Sequence, residues 1–144
     1  MKIKTTRFGT ITIEKEKIIR MPFGMLGFTN KKRFVVLPHK EHSPFLWYQC
    51  VDDPALAFVI TSPFLFKADY EVEIASVLRE LSWDHEKEDG FELYVVVNIP
   101  KDSPDKMTAN LIGPVLINND RREAVQMVIS HSPYTHKFPL AGER

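Results

Sequence analysis

The chain has a single cysteine, Cys50, in 144 residues. An internal disulfide is therefore impossible, and every zinc pattern built from several cysteines is excluded, so the fold must be held by packing. Long apolar runs are also missing. Those present are short, such as "YVVV" at 94–97 and "ALAFVI" at 55–60, far from the about 20 residues that span a bilayer. "MKIKTTRFG" carries no apolar core of a signal peptide, so the expectation is a cytoplasmic chain with no membrane contact. The standard catalytic and nucleotide-binding motifs are absent too: there is no G-x-x-x-x-G-K-[ST], G-x-G-x-x-G, G-x-S-x-G or H-E-x-x-H, and each site those patterns build is excluded in its usual form.

Net charge is likewise absent: 19 Lys and Arg balance 19 Asp and Glu. The charges are nevertheless segregated. Residues 1–40 carry ten Lys or Arg against Glu14 and Glu16, whereas residues 69–92 carry nine acids (Asp69, Glu71, Glu73, Glu80, Asp84, Glu86, Glu88, Asp89 and Glu92) against Arg79 and Lys87. Such a belt attracts a basic protein and repels nucleic acid; equally, it is what a face kept soluble by charge looks like.

What is present is a period of two. "KIKTTRF" and "TITIEKEKIIRM" alternate apolar and polar residues, as strands with one buried face do. "FVVL" (34–37), "FLWYQC" (45–50), "LAFVIT" (56–61), "FELYVVVNI" (91–99) and "NLIGPVLI" (110–117) are β-branched and aromatic runs of strand length. Turn signals separate them at 8–9, 21–24, 52–54, 62–63, 99–105 and 118–121. The pattern predicts one mostly β domain over 1–144, a small barrel or a sandwich, with a loose tail at 140–144. In "DYEVEIASVLRELS" Tyr70, Val72 and Ile74 alternate like a strand, and Ile74, Val77, Leu78 and Leu81 then follow helical spacing with Ser76 as a cap. One short helix around 76–82 is expected there, and a strand within 121–130.

Candidate chemistry is sparse. Cys50 stands two residues before Asp52-Asp53-Pro54. Neighbouring carboxylates disfavour a thiolate, so a nucleophilic cysteine is poorly served. Asp-Asp-Pro is turn grammar instead, which makes Cys50 a buried strand end and Ala55–Thr61 the returning strand. The competing reading is a hydrolase or lyase with Asp52 or Asp53 as general base, helped by His39 or His42. It requires a cleft holding those groups together. His39 and His42 with Glu41 offer too few converging ligands for a metal, and His131 and His136 fare no better. Phe45, Trp47, Tyr48, Phe64 and Phe66 concentrate aromatics, but no basic residue lies between 45 and 66. Stacking of nucleic-acid bases needs both on one face.

In order along the chain, "TRFGTITI", "MPFGMLGF", "PFLWYQCVDDPALAFVITSPF", "VVVNIP", "TANLIGPVLINNDRREAVQ" and "HKFPL" resemble the flagellar assembly factor FliW family, from about residue 5 to residue 140. The clearest block, "TANLIGPVLIN", has Gly113 where the family more often has Ala, and Cys50 stands where it commonly has Ser. The resemblance implies a small, mostly antiparallel β-barrel-like domain without enzymatic activity; no cofactor is expected, and the chain alone is expected to be a monomer unless an open sheet edge pairs. It also implies two alternative partners: flagellin, and the RNA-binding translational regulator CsrA, which is freed to repress flagellin mRNA when flagellin occupies the protein. On that reading Glu71, Glu73 and Glu80 are the candidates for facing CsrA, and Asn110, Asn118 and Arg121 for facing flagellin.

Overall fold

A computed structural model describes residues 1–85, 90–130 and 132–140. Among the described residues, eleven strands and one α-helix make it mostly β: β1 (Lys2–Thr5), β2 (Gly9–Thr12), β3 (Ile19–Arg20), β4 (Arg33–Pro38), β5 (Phe45–Cys50), β6 (Ala57–Thr61), α1 (Ala75–Glu80), β7 (Phe91–Asn98), β8 (Thr108–Ala109), β9 (Val115–Asn118), β10 (Glu123–Gln126) and β11 (Phe138–Pro139). Seven of them close a barrel in the order β7-β6-β5-β4-β3-β10-β9 and back to β7. Closure rests on the length of β7. Its first half, Phe91–Tyr94, pairs with β9, its second half pairs with β6 from Val95 to Val97, and its end pairs with β8. Every barrel pairing is antiparallel except β3 with β10, where Arg20 lies opposite Glu123. Of the two architectures the periodicity allowed, the barrel forms, which removes the open sheet edges a sandwich retains.

Alternation sorts the strands into faces. Phe34, Tyr48, Cys50, Ile60, Val115, Ile117 and Ala124 pack together with Ile19, Met21 and Met25 in the barrel core. The Phe34 and Tyr48 rings stack there, 4.5 Å between centroids. Outside the wall, Tyr70, Val95, Val97, Ala109, Leu111 and Leu140 form a second cluster. The β1–β2 hairpin lays Ile3 and Ile13 over Val35, and α1 lays Val77 and Leu78 near Trp83, Leu116 and Met127. Gly24 is required by sterics: its φ is +67°, and a Cβ would meet Phe28 O and Thr29 Cα at 2.7 Å.

Five local expectations are corrected. Residues 70–74 make no strand: Tyr70 is buried, Val72 and Ile74 are half-buried and Glu71 and Glu73 are exposed, but the segment has no ladder partner. The alternation was real, and lying against the barrel wall satisfies it without a sheet. The helix begins at Ala75, so Ser76 lies inside it; the first N–H is taken by the Glu73 carboxylate, with Ala75 N donating to Glu73 Oε1 at 2.8 Å. "NLIGPVLI" is broken, because Asn110 Oδ1 accepts from Ile112 N and Pro114 has no N–H to give to a ladder; only Val115–Asn118 is strand. "TITIEKEKIIRM" is interrupted by a 3-10 turn at Lys15–Lys17. Within 121–130 the strand expected is β10. Of the loose tail expected at 140–144, Leu140 is instead buried in the outer cluster with its N–H donating to Met107 O at 3.1 Å, and 141–144 lie outside the described residues, as do Glu86, Lys87, Glu88, Asp89 and His131.

Candidate partner-binding surfaces

Cys50, Asp52 and Asp53 do not form a reactive centre. β5 and β6 are antiparallel, Phe45 opposite Thr61 through Gln49 opposite Ala57, and the Asp-Asp-Pro stretch is the turn between them. Asp53 Oδ1 accepts from Ala55 N at 3.1 Å, and Gln49 Nε2 donates to the carbonyls of Cys50 and Leu56 at 3.0 and 3.1 Å, clamping the turn. Asp52 reaches sideways to β4, where its Oδ1 accepts from Arg33 Nε at 2.8 Å and sits 2.7 Å from Arg33 Nη2. Burial alone would raise the Asp52 pKa, but the Arg33 hydrogen bond and charge and the N–H groups of Lys32 and Arg33 outweigh it, and the carboxyl is held below the ordinary range. A carboxylate so paired is a weak general base. The Cys50 thiol is pushed up chiefly by burial, with the N–H groups of Asp52 and Asp53 pulling the other way.

His39 and His42 diverge. The His39 ring lies 5.5 Å from Trp47, with its Nδ1 buried and unpartnered. His42, in a left-handed conformation (φ 64°), is exposed at the loop tip beside Glu41. Among the described residues no group of three His, Cys, Asp or Glu side chains converges.

Three surfaces remain. The first is acidic and apolar. Phe64, Val72, Ile74, Phe91, Leu93 and Leu116 line a groove of about 390 Å³, and Phe64 and Leu65 beside it are 48% and 63% exposed. Glu71 and Glu73 are exposed on the segment whose Val72 and Ile74 form the groove wall, and Glu80 is exposed on α1. The backbone around Glu71 is fixed by its N–H donating to Tyr134 Oη at 2.8 Å.

The second brings two distant motifs together. Leu26 N donates to Gln126 Oε1 at 2.8 Å, and Gln126 Nε2 donates to Gly113 O at 3.0 Å. A Cβ on Gly113 would stand 2.8 Å from Asn110 Nδ2. The "MPFGMLGF" loop, the "TANLIGP" loop and the end of β10 thus meet at one place, with Phe23, Leu26 and Val128 exposed by 62%, 57% and 66%. Asn110 belongs here. Asn118 and Arg121 do not: they lie at the other end of the β9–β10 hairpin, about 10 Å away at about 3.3 Å per strand residue. Asn118 is 1% exposed and its Oδ1 accepts from Arg121 N at 3.2 Å, so it shapes the turn from inside, while Arg121 is exposed. Beside that turn is a depression of about 440 Å³ where Arg122, at φ 52°, donates to Asn119 Oδ1 and Lys17 O, and Asn119 and Tyr94 both donate to Glu92.

The third surface brings cations from elsewhere in the chain to the aromatic stretch, which has none between 45 and 66. The β1–β2 turn carries Arg7 to 4.4 Å above the Trp47 ring, and Lys101 lines the same groove. No local sequence window contains that pair. The signals missed elsewhere were of the same kind: exposed apolar residues in a glycine-containing loop, and hydrogen bonds between residues 100 apart.

These features define a small closed β-barrel in which Asp52 and Asp53 are tied into a turn and ion pairs, Glu71 and Glu80 are exposed, and several large apolar side chains stand on the surface. The chain matches the family model described as FliW protein over residues 2–140. It is 43% identical over 140 residues to the flagellar assembly factor FliW of Geobacter sulfurreducens, covering 97% of this chain and 86% of that one. To that of Bacillus subtilis it is 36% identical over 143 residues, 99% of each. A crystal structure of the flagellar assembly factor FliW superposes with a TM-score of 0.88 at 34% identity, covering 100% of this chain and 99% of the other. The chain belongs to the FliW family of flagellar assembly factors.

Proposed function

We propose that the chain is a cytoplasmic, non-enzymatic partner switch that binds flagellin and, when flagellin is exported, captures CsrA and lifts its repression of flagellin mRNA. The observation that carries the reading, beyond family membership, is the apolar groove beside exposed Glu71, Glu73 and Glu80. An RNA-binding regulator presents basic surfaces, and an acidic border around apolar area attracts such a surface at long range while the groove supplies contact. No helix of the described residues is long and apolar enough to cross a membrane.

Flagellin is assigned to the end where Asn110 meets the exposed Phe23, Leu26 and Val128, since a central apolar patch with polar neighbours is the composition of a recognition site. Arg121 is kept as a second, separate contact, with Asn118 positioning it from within the turn. The two assignments put the partners on different surfaces, so exclusion of one by the other would operate through overlap of the bound proteins or through the barrel.

The test is a calorimetric titration with CsrA from the same organism, repeated after saturation with flagellin. Binding that vanishes with flagellin present supports the switch. Equal binding in both titrations would show independent sites and defeat it.

A further inference from the structure

We propose that the gap where β6 and β7 separate is a docking slot for an extended, acidic and apolar segment of a partner protein, held partly by strand pairing. The register of β6 with β7 stops at Val59 opposite Val97. On its other edge β7 stays paired with β8, Val97 opposite Ala109 and Asn98 opposite Thr108, so only the edge facing β6 is left open. Continued past that pair, the register would set Phe58 against Asn98 and Ala57 against Ile99, and these four residues line an open groove of about 630 Å³.

Its lining draws on both faces of the wall. Phe58 and Val96 pack against the barrel core, while Val59 and Val97 pack in the outer cluster, and all four line this one groove. Residues of opposite faces reach a common space where a ladder ends, and here it ends at Val59 and Val97.

The backbone is turned the right way. Cys50 N donates to Leu56 O, so along β6 the groups of residues 56, 58 and 60 are directed to β5 and those of 57, 59 and 61 to β7. Asn110 N donates to Val96 O, so Val97 and, by the same alternation, Ile99 are directed to β6. Ala57 and Ile99 therefore present peptide groups into the gap from both sides, which a short extended segment can pair with.

Side chains set the occupant's chemistry. The walls are apolar, the charged residues lining the groove are Arg7 and Lys101, and no carboxylate lines it. Neither cation has an ion-pair partner among the described residues. Base stacking is disfavoured, because Arg7 covers one Trp47 face with Phe8 and His39 also against the ring, and Phe58 is engaged by Phe28 and Phe34. An acidic peptide fits where a nucleic acid does not. The inference does not depend on the partner switch, and it concerns a surface that neither assignment above uses.

The probe is an acetylated, amidated octapeptide of alternating Val and Glu, followed by tryptophan fluorescence. Trp83 is 3% exposed, so half-buried Trp47 carries any change, and Trp47→Phe should abolish the signal. Saturable binding is expected, weakened about tenfold or more by Arg7→Glu with Lys101→Glu and by about the same factor when alternate peptide nitrogens are methylated. The methylated peptide tests pairing without touching the protein's own fold. No binding up to millimolar peptide, equal binding of the Val-Lys analogue, indifference to N-methylation, or stronger binding of oligothymidylate would each overturn the proposal. None of these outcomes bears on the CsrA titration.

Discussion

Replacing Glu71 and Glu80 by Lys and Glu73 by Gln isolates the contribution of charge to CsrA capture. Gln is chosen at 73 because that side chain also accepts the first helix N–H, Ala75 N at 2.8 Å, and an amide oxygen preserves the bond. The set takes the formal net charge from +0 to about +5, counting two for each Lys and one for the Gln. A unit charge about 8 Å from a partner cation changes the encounter rate about 2.4-fold in water, from 332/(εr) with ε about 80. Five such changes multiply to roughly 80-fold at low salt, and a Debye length of about 8 Å at 0.15 M reduces this to several-fold. Stopped-flow association with CsrA across a salt series measures both numbers. The expected result is slower association at low salt, converging with the parent as salt rises, and little change in dissociation. An association rate and salt slope equal to the parent's would refute electrostatic capture at this surface and leave the groove alone to explain binding.

Phe34→Ala should cost about 3–5 kcal/mol in urea unfolding, since Phe34 is fully buried and its ring stacks on Tyr48; a loss below about 1.5 kcal/mol would mean the barrel core collapses around the void. Asp52→Asn should cost about 0.5–1 kcal/mol at neutral pH, modest because the Arg33 pair is partly solvated. The Asp52 pKa is depressed in the fold, so its stabilisation is present above the unfolded value near 3.9 and is lost as pH falls through the lower folded value. The difference between parent and variant in unfolding experiments should therefore be flat above about pH 5 and shrink below about pH 4. Cys50, 1% exposed with its thiol pushed up by burial, should not react with Ellman's reagent in the native protein and should react once in denaturant; rapid native reaction would contradict the packed strand end.

Much of this was legible in the chain. Alternation located the longer strands, because a closed barrel buries one face of each. The turn at Asp52-Asp53-Pro54 was legible from short-range bonding, and the role of Asp52 was not, since Arg33 comes from another strand. Around residues 70–74 the same alternation misled: it reports which side chains face inward, and carries no information on whether a neighbouring strand is present to pair with. The "NLIGPVLI" run misled for a local reason, an Asn side chain and a proline that take the backbone out of the ladder.

Among the proposed contacts, Glu71, Glu73 and Glu80 stood out as a charge run and are exposed as expected. Asn110 and Asn118, similar in composition and eight residues apart, were indistinguishable until β9 put one at a loop junction and buried the other at the far end. Periodicity, turn chemistry and charge segregation are properties of neighbours along the chain, and by themselves they determined the β class, the single domain, the short helix and the acidic belt. Barrel closure, the meeting of Leu26 with Gln126, the seating of Arg7 on Trp47 and the gap between β6 and β7 depend on pairings between residues about 20 to 100 apart. Those pairings are settled by which strands can be paired while the core is filled, and that is decided only in three dimensions.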